Sequence, residues 1–284
     1  MKKLKVAIPK GKMYENVVNL LNDAGINVRA GERLYRPIVS DEKVEIKIVK
    51  PQNIPKLIEL GSHDVGFTGH DLIVEMSADV VEVMDLKFDP VKVVAAVSEN
   101  TDIKDLRRKK IVVASEYENL TRKFLEREEY DYVFLKTYGA TEVFPPEDAD
   151  MIIDNTSTGK TLKEQGLKPI KTLLESSTRF VANKKALEDI EKREKINEMK
   201  MLFQAVLDAR ERVILEMNVS EENFGRVVKF LPCMRAPTIA PLYEGLGYAI
   251  KVAVKGGEVA KLIPQLKKLG ATDILEYELR KVIA

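Results

Sequence analysis

The stretch Asp154-Asn155-Thr156-Ser157-Thr158-Gly159-Lys160-Thr161 gathers residue types that hold a phosphorylated sugar. A carboxylate accepts hydrogen bonds from a pair of ribose hydroxyls, while backbone N–H groups and side-chain hydroxyls around a glycine close on a phosphate. The apolar run Met151-Ile152-Ile153 has the length and branching of a buried parallel strand, and Asp154 stands where that strand would emerge. A helix-compatible run, Leu162 to Gln165, follows and would add positive potential at its N-terminus. Gly159-Lys160-Thr161 also ends a Walker A loop, but that loop needs a glycine where this chain has Asp154. A phosphoribosyl-diphosphate loop fits better, with ribose hydroxyls on Asp154 and the 5-phosphate on Ser157 to Thr161. A strand followed by a threonine-rich turn, with Asp154 as a helix cap, accounts for the same residues without a ligand. The stretch alone leaves both open.

Other elements must supply the rest of any site. Lys5 to Ile8 predicts a strand, and Met13, Val17, Leu20 and Leu21 recur at helical spacing up to Gly25. Between them, Pro9-Lys10-Gly11-Lys12 puts two cations at the carboxyl end of a strand, where open α/β sheets bind ligands. Solvated surface lysines are the other reading of so short a motif. Val44, Ile46 and Ile48 alternate as in a half-exposed strand, and Lys50 to Pro55 turns the chain into a helix that Gly61 stops. Asp64 to Thr68 reads as the next strand, with Gly69-His70-Asp71 at a helix start. Asp71 suits a cap there and His70 a surface or packing position. Strands at Val80–Met84 and Val91–Val97, with Pro90 between them, mark a crossing into a second lobe. Ile111 to Ala114 enters a segment in which Glu116 and Arg122 can face a ligand, and Phe180-Val181-Ala182 brings the chain back to the first lobe. Ala186 to Arg212 predicts one connecting or oligomer-forming helix, its apolar stripe made of Ile190, Ile196, Met199, Leu202, Val206 and Leu207. The remainder reads βαββαβ, a ferredoxin-like unit of the kind that serves as a small-ligand or pairing domain.

Composition narrows the partners. Of 284 residues, 45% are hydrophobic and 32% charged, which suits a globular protein of two or three domains. Lys plus Arg total 46 against 45 for Asp plus Glu, so no basic field favours nucleic acid. The lone Cys233 excludes an internal disulfide and a cysteine-rich zinc site, and with two histidines any metal is expected to be Mg²⁺. Met1 to Val6 lacks the apolar segment of a signal peptide and no apolar run approaches the length of a membrane span, so a cytoplasmic location is expected. Two lobes with a crossover also describe non-catalytic solute-binding proteins, which would not need Asp154 with its Thr-Gly-Lys-Thr loop.

Several motifs agree in order with one family. These are Ile8-Pro9-Lys10-Gly11-Lys12, Pro51-Gln52-Asn53-Ile54-Pro55, Gly66-Phe67-Thr68-Gly69-His70-Asp71, Ser115-Glu116-Tyr117-Glu118-Asn119-Leu120-Thr121-Arg122 and Asp154 to Leu162. Leu231-Pro232-Cys233-Met234-Arg235-Ala236-Pro237-Thr238 and Gly270-Ala271-Thr272 complete the set. Together they resemble the long form of ATP phosphoribosyltransferase, the enzyme of the first step of histidine biosynthesis, nearly end to end. Departures occur at Lys12 and Lys50, where the family favours arginine, in the shortened Glu142–Glu147 approach, and at Lys87-Phe88-Asp89-Pro90, where the family has a glycine-containing turn. A lysine keeps the charge of arginine but not its bidentate fork.

The resemblance implies an α/β protein with a two-lobed, periplasmic-binding-protein-like catalytic core and a C-terminal ferredoxin-like (βαββαβ) regulatory domain. Residues 1–90 and 175–205 would form lobe I, 91–174 lobe II with the phosphoribosyl-diphosphate loop, and 206–284 the regulatory domain. It implies Mg²⁺-dependent transfer of phosphoribosyl from phosphoribosyl diphosphate to N1 of ATP. Lys10, Lys12 and Lys50 are the expected catalytic cations, and Asp154, Thr156, Ser157, Thr158, Gly159, Lys160 and Thr161 the phosphoribosyl-diphosphate contacts. Gly11, Gly69, Asp71 and Glu116 are expected at ATP, with Glu116 and Asp71 orienting substrate or water on Mg²⁺, an ion held mainly by substrate phosphates without a firm protein ligand. Feedback inhibition by histidine at Asn218, Met234, Ala236 and Thr238, in a homo-oligomer between dimer and hexamer, completes the expectation. A small-ligand-binding or catalytically silent regulatory protein is the alternative.

Overall fold

In a computed structural model, which describes residues 3–29, 35–232, 234 and 236–283, the chain divides into two compact units, 1–22 with 26–197 and 23–25 with 198–284. The first unit opens with β1 (Leu4–Pro9), whose Val6, Ala7 and Ile8 are wholly inaccessible, as in a strand covered on both faces. α1 (Tyr14–Ala24) follows and stops at Gly25, whose φ of 100° suits glycine. A two-strand ribbon, β2 (Val28–Arg29) with β3 (Ile38–Val39), leads to β4 (Val44–Val49), which buries Val44, Ile46 and Ile48. Pro51 begins a 3-10 turn into α2 (Ile54–Glu59), then come β5 (Val65–Gly69), α3 (His70–Met76) and β6 (Val81–Asp85).

The second lobe runs through β7 (Val91–Ser98), α4 (Ile103–Leu106), β8 (Ile111–Ser115), α5 (Glu118–Arg127), β9 (Tyr132–Lys136), β10 (Met151–Thr156), α6 (Lys160–Glu164) and β11 (Leu167–Ser176). β12 (Thr178–Ala182) then re-enters the first sheet, whose order is β4-β1-β5-β12-β6, while the second sheet is β11-β7-β10-β8-β9. Successive strand residues face opposite ways. Val93, Ala95, Val113, Met151 and Ile153 therefore pack with Phe124 and Leu125 on one side, and Val94, Ala96, Ala114 and Ile152 with Leu162 and Leu167 on the other.

Two expectations change, and one strand is new. β10 does not end at Asp154: it is parallel to β8 over Met151–Ile153 but antiparallel to β7 as far as Thr156, so it continues where β8 has already turned away. Asp154 caps no helix, because Gly159, at φ 76°, holds the N-cap position of α6, and that helix has only five residues. β11 was hidden from pattern reading by register shifts at Pro169/Lys171 and Thr172/Leu174, which break the period-two alternation of a regular strand.

The long charged helix is in fact two, α7 (Lys184–Glu188) and α8 (Ile190–Arg210). Asp189 leaves helical geometry at ψ 120° and its side chain accepts from Lys192 N at 3.2 Å, starting a new helix as a cap does. Ile190 is consequently 63% exposed, and the buried stripe runs Ile196, Met199, Phe203, Val206.

The second unit contains β13 (Arg212–Val219), α9 (Glu221–Phe230), β14 (Thr238–Pro241), β15 (Tyr248–Lys255), α10 (Val259–Lys268) and β16 (Ala271–Glu278). Its antiparallel sheet has the order β14-β15-β13-β16, the ferredoxin-like arrangement. Leu215, Met217, Val219, Ile250, Val252 and Val254 face Val227, Leu262 and Leu266 of the two helices. Among the described residues no helix is long and apolar enough to cross a membrane.

Candidate active site

The Asp154–Thr161 loop lines a cavity of about 440 Å³ together with Lys12 and Glu142. Two of its threonines brace the turn: Thr156 Oγ1 accepts from Gly159 N at 3.0 Å and Thr158 Oγ1 from Lys160 N at 3.4 Å. Gly159 is needed for its left-handed backbone; space above it is open, with nothing within 4 Å of where a Cβ would stand. Asp154 Oδ1 accepts from Asn155 N at 2.7 Å. Burial, and then the charges of Glu142 and Glu116, push the Asp154 carboxyl up to about 6 against the opposing pull of that N–H.

A larger cavity of about 710 Å³ adjoins it, and Lys12, Val91 and Asn155 line both. Lys12, Gln52, Lys56, Gly69, Asp71 and Glu75 come from the first lobe, and Glu116, Tyr117, Asn119, Lys136 and Asn155 from the second. At its floor Asp71 is buried and doubly engaged: Oδ1 accepts from Ser176 Oγ and Oδ2 from the Tyr117 hydroxyl, each at 2.6 Å. Ser176 Oγ in turn accepts from Asp71 N at 3.0 Å, and Asn155 Nδ2 donates to the Tyr117 oxygen at 2.9 Å. Ser115, fully buried, donates to Ile153 O at 2.6 Å and accepts from Tyr117 N at 2.8 Å, so the tyrosine backbone is fixed too. Burial, then the Asp71 charge and hydrogen bond, drive the Tyr117 hydroxyl well above its ordinary range and keep it a donor. Lys136 Nζ donates to Glu116 O at 2.8 Å. A third cavity, of about 430 Å³, lies beyond Ser157 beside Lys87, Lys92 and Arg179, whose guanidinium is paired with Glu82 and Asp85.

The structure thus brings together Lys12, Gly69, Asp71, Glu116, Asp154, Thr156, Ser157, Thr158, Lys160 and Thr161 around two adjoining cavities. Lys10, Gly11 and Lys50 line none of the three cavities, and Lys10 Nζ sits 5.5 Å from the Tyr35 ring centroid. Asp71 meets the cavity as a braced group, its oxygens already occupied by protein donors, rather than as a free carboxylate. Sequence reasoning passed over Tyr117, Asn155, Glu75 and Lys136. A signal existed for Asn155, since strand neighbours face opposite ways and Asp154 fills one cavity wall. Glu75 stands one helical turn beyond Asp71, on the same face.

In the second unit, register across β15 relates Asn218 to Ala249 and Ala249 to Ala240, so Asn218 and Thr238 share the sheet face away from the helices. Asn218 Nδ2 donates to Asp273 Oδ2 at 3.0 Å. Met234 and Ala236 are exposed, and Cys233 and Arg235 of the same motif lie outside the described residues. Among the described residues, no group of three or more His, Cys, Asp or Glu side chains is placed to hold a metal ion. Glu142 and Glu116, whose charges add to burial in raising the Asp154 pKa, are oxygen donors of the kind a divalent cation takes.

Two α/β lobes facing each other across adjoining cavities, one furnished with a carboxylate and a hydroxyl-rich glycine loop, define a class of cleft proteins equipped for phosphorylated small molecules. Residues 50–205 match the family model described as ATP phosphoribosyltransferase, and residues 209–281 the one described as HisG, C-terminal domain. The chain belongs to the ATP phosphoribosyltransferase family. A protein of that name from Chlorobium phaeovibrioides is 40% identical over 288 residues, covering 99% of this chain and 97% of the relative. One from Thermodesulfovibrio yellowstonii is 39% identical over 290 residues, 99% of each. Among solved structures, the ATP phosphoribosyl transferase (HisG:HisZ) complex from Thermotoga maritima matches with a TM-score of 0.63 at 23% identity, over 71% of this chain and 98% of that one. That likeness is one of fold.

Proposed function

We propose that this chain transfers the phosphoribosyl group of phosphoribosyl diphosphate to N1 of ATP, releasing diphosphate, as the first step of histidine synthesis. The observation that carries the reading is the junction of the two cavities: the Asp154–Thr161 loop opens beside a larger chamber, and Lys12 and Asn155 stand in the wall of both. Membership of the family supports it.

In this reaction the N1 lone pair forms a bond to the anomeric carbon while the bond from that carbon to diphosphate breaks. Positive charge develops on the sugar and negative charge on the leaving group, so the protein supplies placement and electrostatics and needs no nucleophile. Asp154, ionised at pH values well above about 6, accepts the ribose hydroxyls. The Ser157–Thr161 segment holds the 5-phosphate through backbone N–H groups and hydroxyls. Lys12, the one of the three expected catalytic lysines that lines both cavities, faces the departing diphosphate. The carboxylates of Glu116 and Glu142 fit Mg²⁺ carried in on substrate phosphates, and such an ion, when bound, neutralises charge on diphosphate.

Histidine is the proposed feedback ligand, bound near Asn218, Met234, Ala236 and Thr238, and the shared face of Asn218 and Thr238 favours that grouping. A homo-oligomer between dimer and hexamer and a cytoplasmic location belong to the same proposal. The test is to mix the protein with ATP, phosphoribosyl diphosphate and Mg²⁺, with and without histidine, and follow product absorbance and diphosphate release. Product that requires both substrates and falls with histidine is expected. Failure to form product overturns the catalytic reading, and product indifferent to histidine overturns the regulatory one.

A further inference from the structure

Helix α3 belongs to the first lobe, where Ile73 packs with Ala7, Ile54 and Val181, yet three of its side chains reach the second. Asp71 receives the Tyr117 hydroxyl, Leu72 packs against the core of the second lobe, and Glu75, one turn on, reaches the start of α5. Glu75 Oε1 accepts from Asn119 N and Oε2 from Leu120 N, each at 2.9 Å, while the Glu75 carbonyl accepts from Asn119 Nδ2 at 2.7 Å. A helix leaves its first N–H groups without partners inside the helix. The N-cap position of α5 is Tyr117, whose side chain makes no capping hydrogen bond. Those N–H groups are instead taken by a carboxylate delivered from the opposite lobe.

We propose that Glu75 is a positioning residue for the phosphoribosyl transfer. By capping α5 from across the cleft, it fixes Glu116 and Tyr117, which immediately precede that helix and line the main cavity, against the wall bearing Lys12 and Gln52. The inference rests on the transfer reading above. The body of α5 stays anchored without Glu75, because Phe124 and Leu125 remain in the second lobe's core. What is lost is one of the ties that set the two cavity walls, the Tyr117–Asp71 bond being another, and a displacement of about 1 Å at a reacting centre costs roughly a hundredfold in rate.

The test uses the full chain as wild type, Glu75→Ala and Glu75→Gln, with two readouts. Amide hydrogen exchange at Asn119 and Leu120 should accelerate roughly tenfold or more in Glu75→Ala while the α5 amides around Phe124 keep their protection. In turnover, kcat should fall roughly tenfold or more with the calorimetric Kd for phosphoribosyl diphosphate, measured without ATP, held within about twofold. Glu75→Gln, which keeps one acceptor oxygen, should recover part of both losses, and it carries the test if the alanine variant does not fold. Unchanged exchange at the two amides, or faster exchange with unchanged kcat, overturns the proposal. So does parallel loss of kcat and phosphoribosyl-diphosphate binding, the mark of general damage. A wild type that forms no product defeats the transfer reading instead, and exchange then decides the cross-lobe cap by itself.

Discussion

Tyr117 and Asp71, 46 residues apart in the chain, meet at 2.6 Å with the phenol donating to Asp71 Oδ2 and accepting from Asn155 Nδ2. The pair joins the two lobes beneath the main cavity. Removing the hydroxyl in Tyr117→Phe strands a buried carboxylate oxygen and an amide donor at once. The expected cost is about 1–3 kcal/mol of unfolding free energy, read from urea denaturation. A loss below about 0.5 kcal/mol would show that water replaces the hydroxyl without penalty.

Asp154 links activity to pH. Burial and neighbouring carboxylates raise its pKa to about 6, so protonation below that pH removes the acceptor for the ribose hydroxyls. The KM for phosphoribosyl diphosphate should climb as pH falls through about 6. Asp154→Asn should flatten this profile and raise KM by roughly tenfold or more, the size of a lost hydrogen bond to a charged group. Stability moves the other way. A carboxyl whose pKa is raised on folding contributes fully below its unfolded value and loses that contribution as pH rises through the folded value. Asp154→Asn should therefore melt above wild type at pH values well above 6, with the difference vanishing in acid.

Gly69 is held to glycine by the Asp71 carboxylate, not by its own backbone angles. A Cβ there would collide with Asp71 Oδ1, and it would stand 3.6 Å from Ser176 Oγ. Gly69→Ala should push the carboxylate away from Ser176 and Tyr117 and reduce stability by about 1–3 kcal/mol. Gly166→Ala makes a useful comparison, since a Cβ there meets nothing within 4 Å and its penalty comes from φ 65° alone.

The turn from β6 to β7 carries two non-glycine residues in the left-handed region, Lys87 at φ 58° and Asp89 at φ 47°. Lys87→Gly removes that strain at the expense of a floppier unfolded chain, for a net gain of up to about 1 kcal/mol in thermal unfolding. The same change at Asp89 deletes acceptors for Asn16 Nδ2 at 3.0 Å and Thr178 Oγ1 at 3.3 Å. Asp89→Gly should destabilise where Lys87→Gly stabilises, and equal effects would refute the assignment of strain.

Local patterning was legible along much of the chain. The alternation of Val44, Ile46 and Ile48 marked β4, and apolar periodicity delineated the βαββαβ order of the second unit. The glycine loop after Asp154 announced itself because its residue types are confined to eight positions. What stayed hidden was long-range. Nothing near Tyr117 signals Asp71, and nothing near α5 signals that its cap is Glu75, since both partners arrive from a helix of the other lobe. The break at Asp189 was missed for a different reason: charged helix formers surround it, and only its own capping bond distinguishes an end from a continuation.

Strand β12 lies between β5 and β6 in the first sheet, although the entire second lobe separates it from both in the chain. During synthesis, β6 therefore leaves the ribosome with no permanent neighbour and waits nearly a hundred residues for one. The second lobe is complete in the chain before β12 is made, because its entry and exit residues, Val91 and Ser176, are register partners on adjacent strands. The inserted domain can close while its host is still open. Closing it would bring β12 to the gap between β5 and β6, so the later-encoded lobe can be complete before the earlier one.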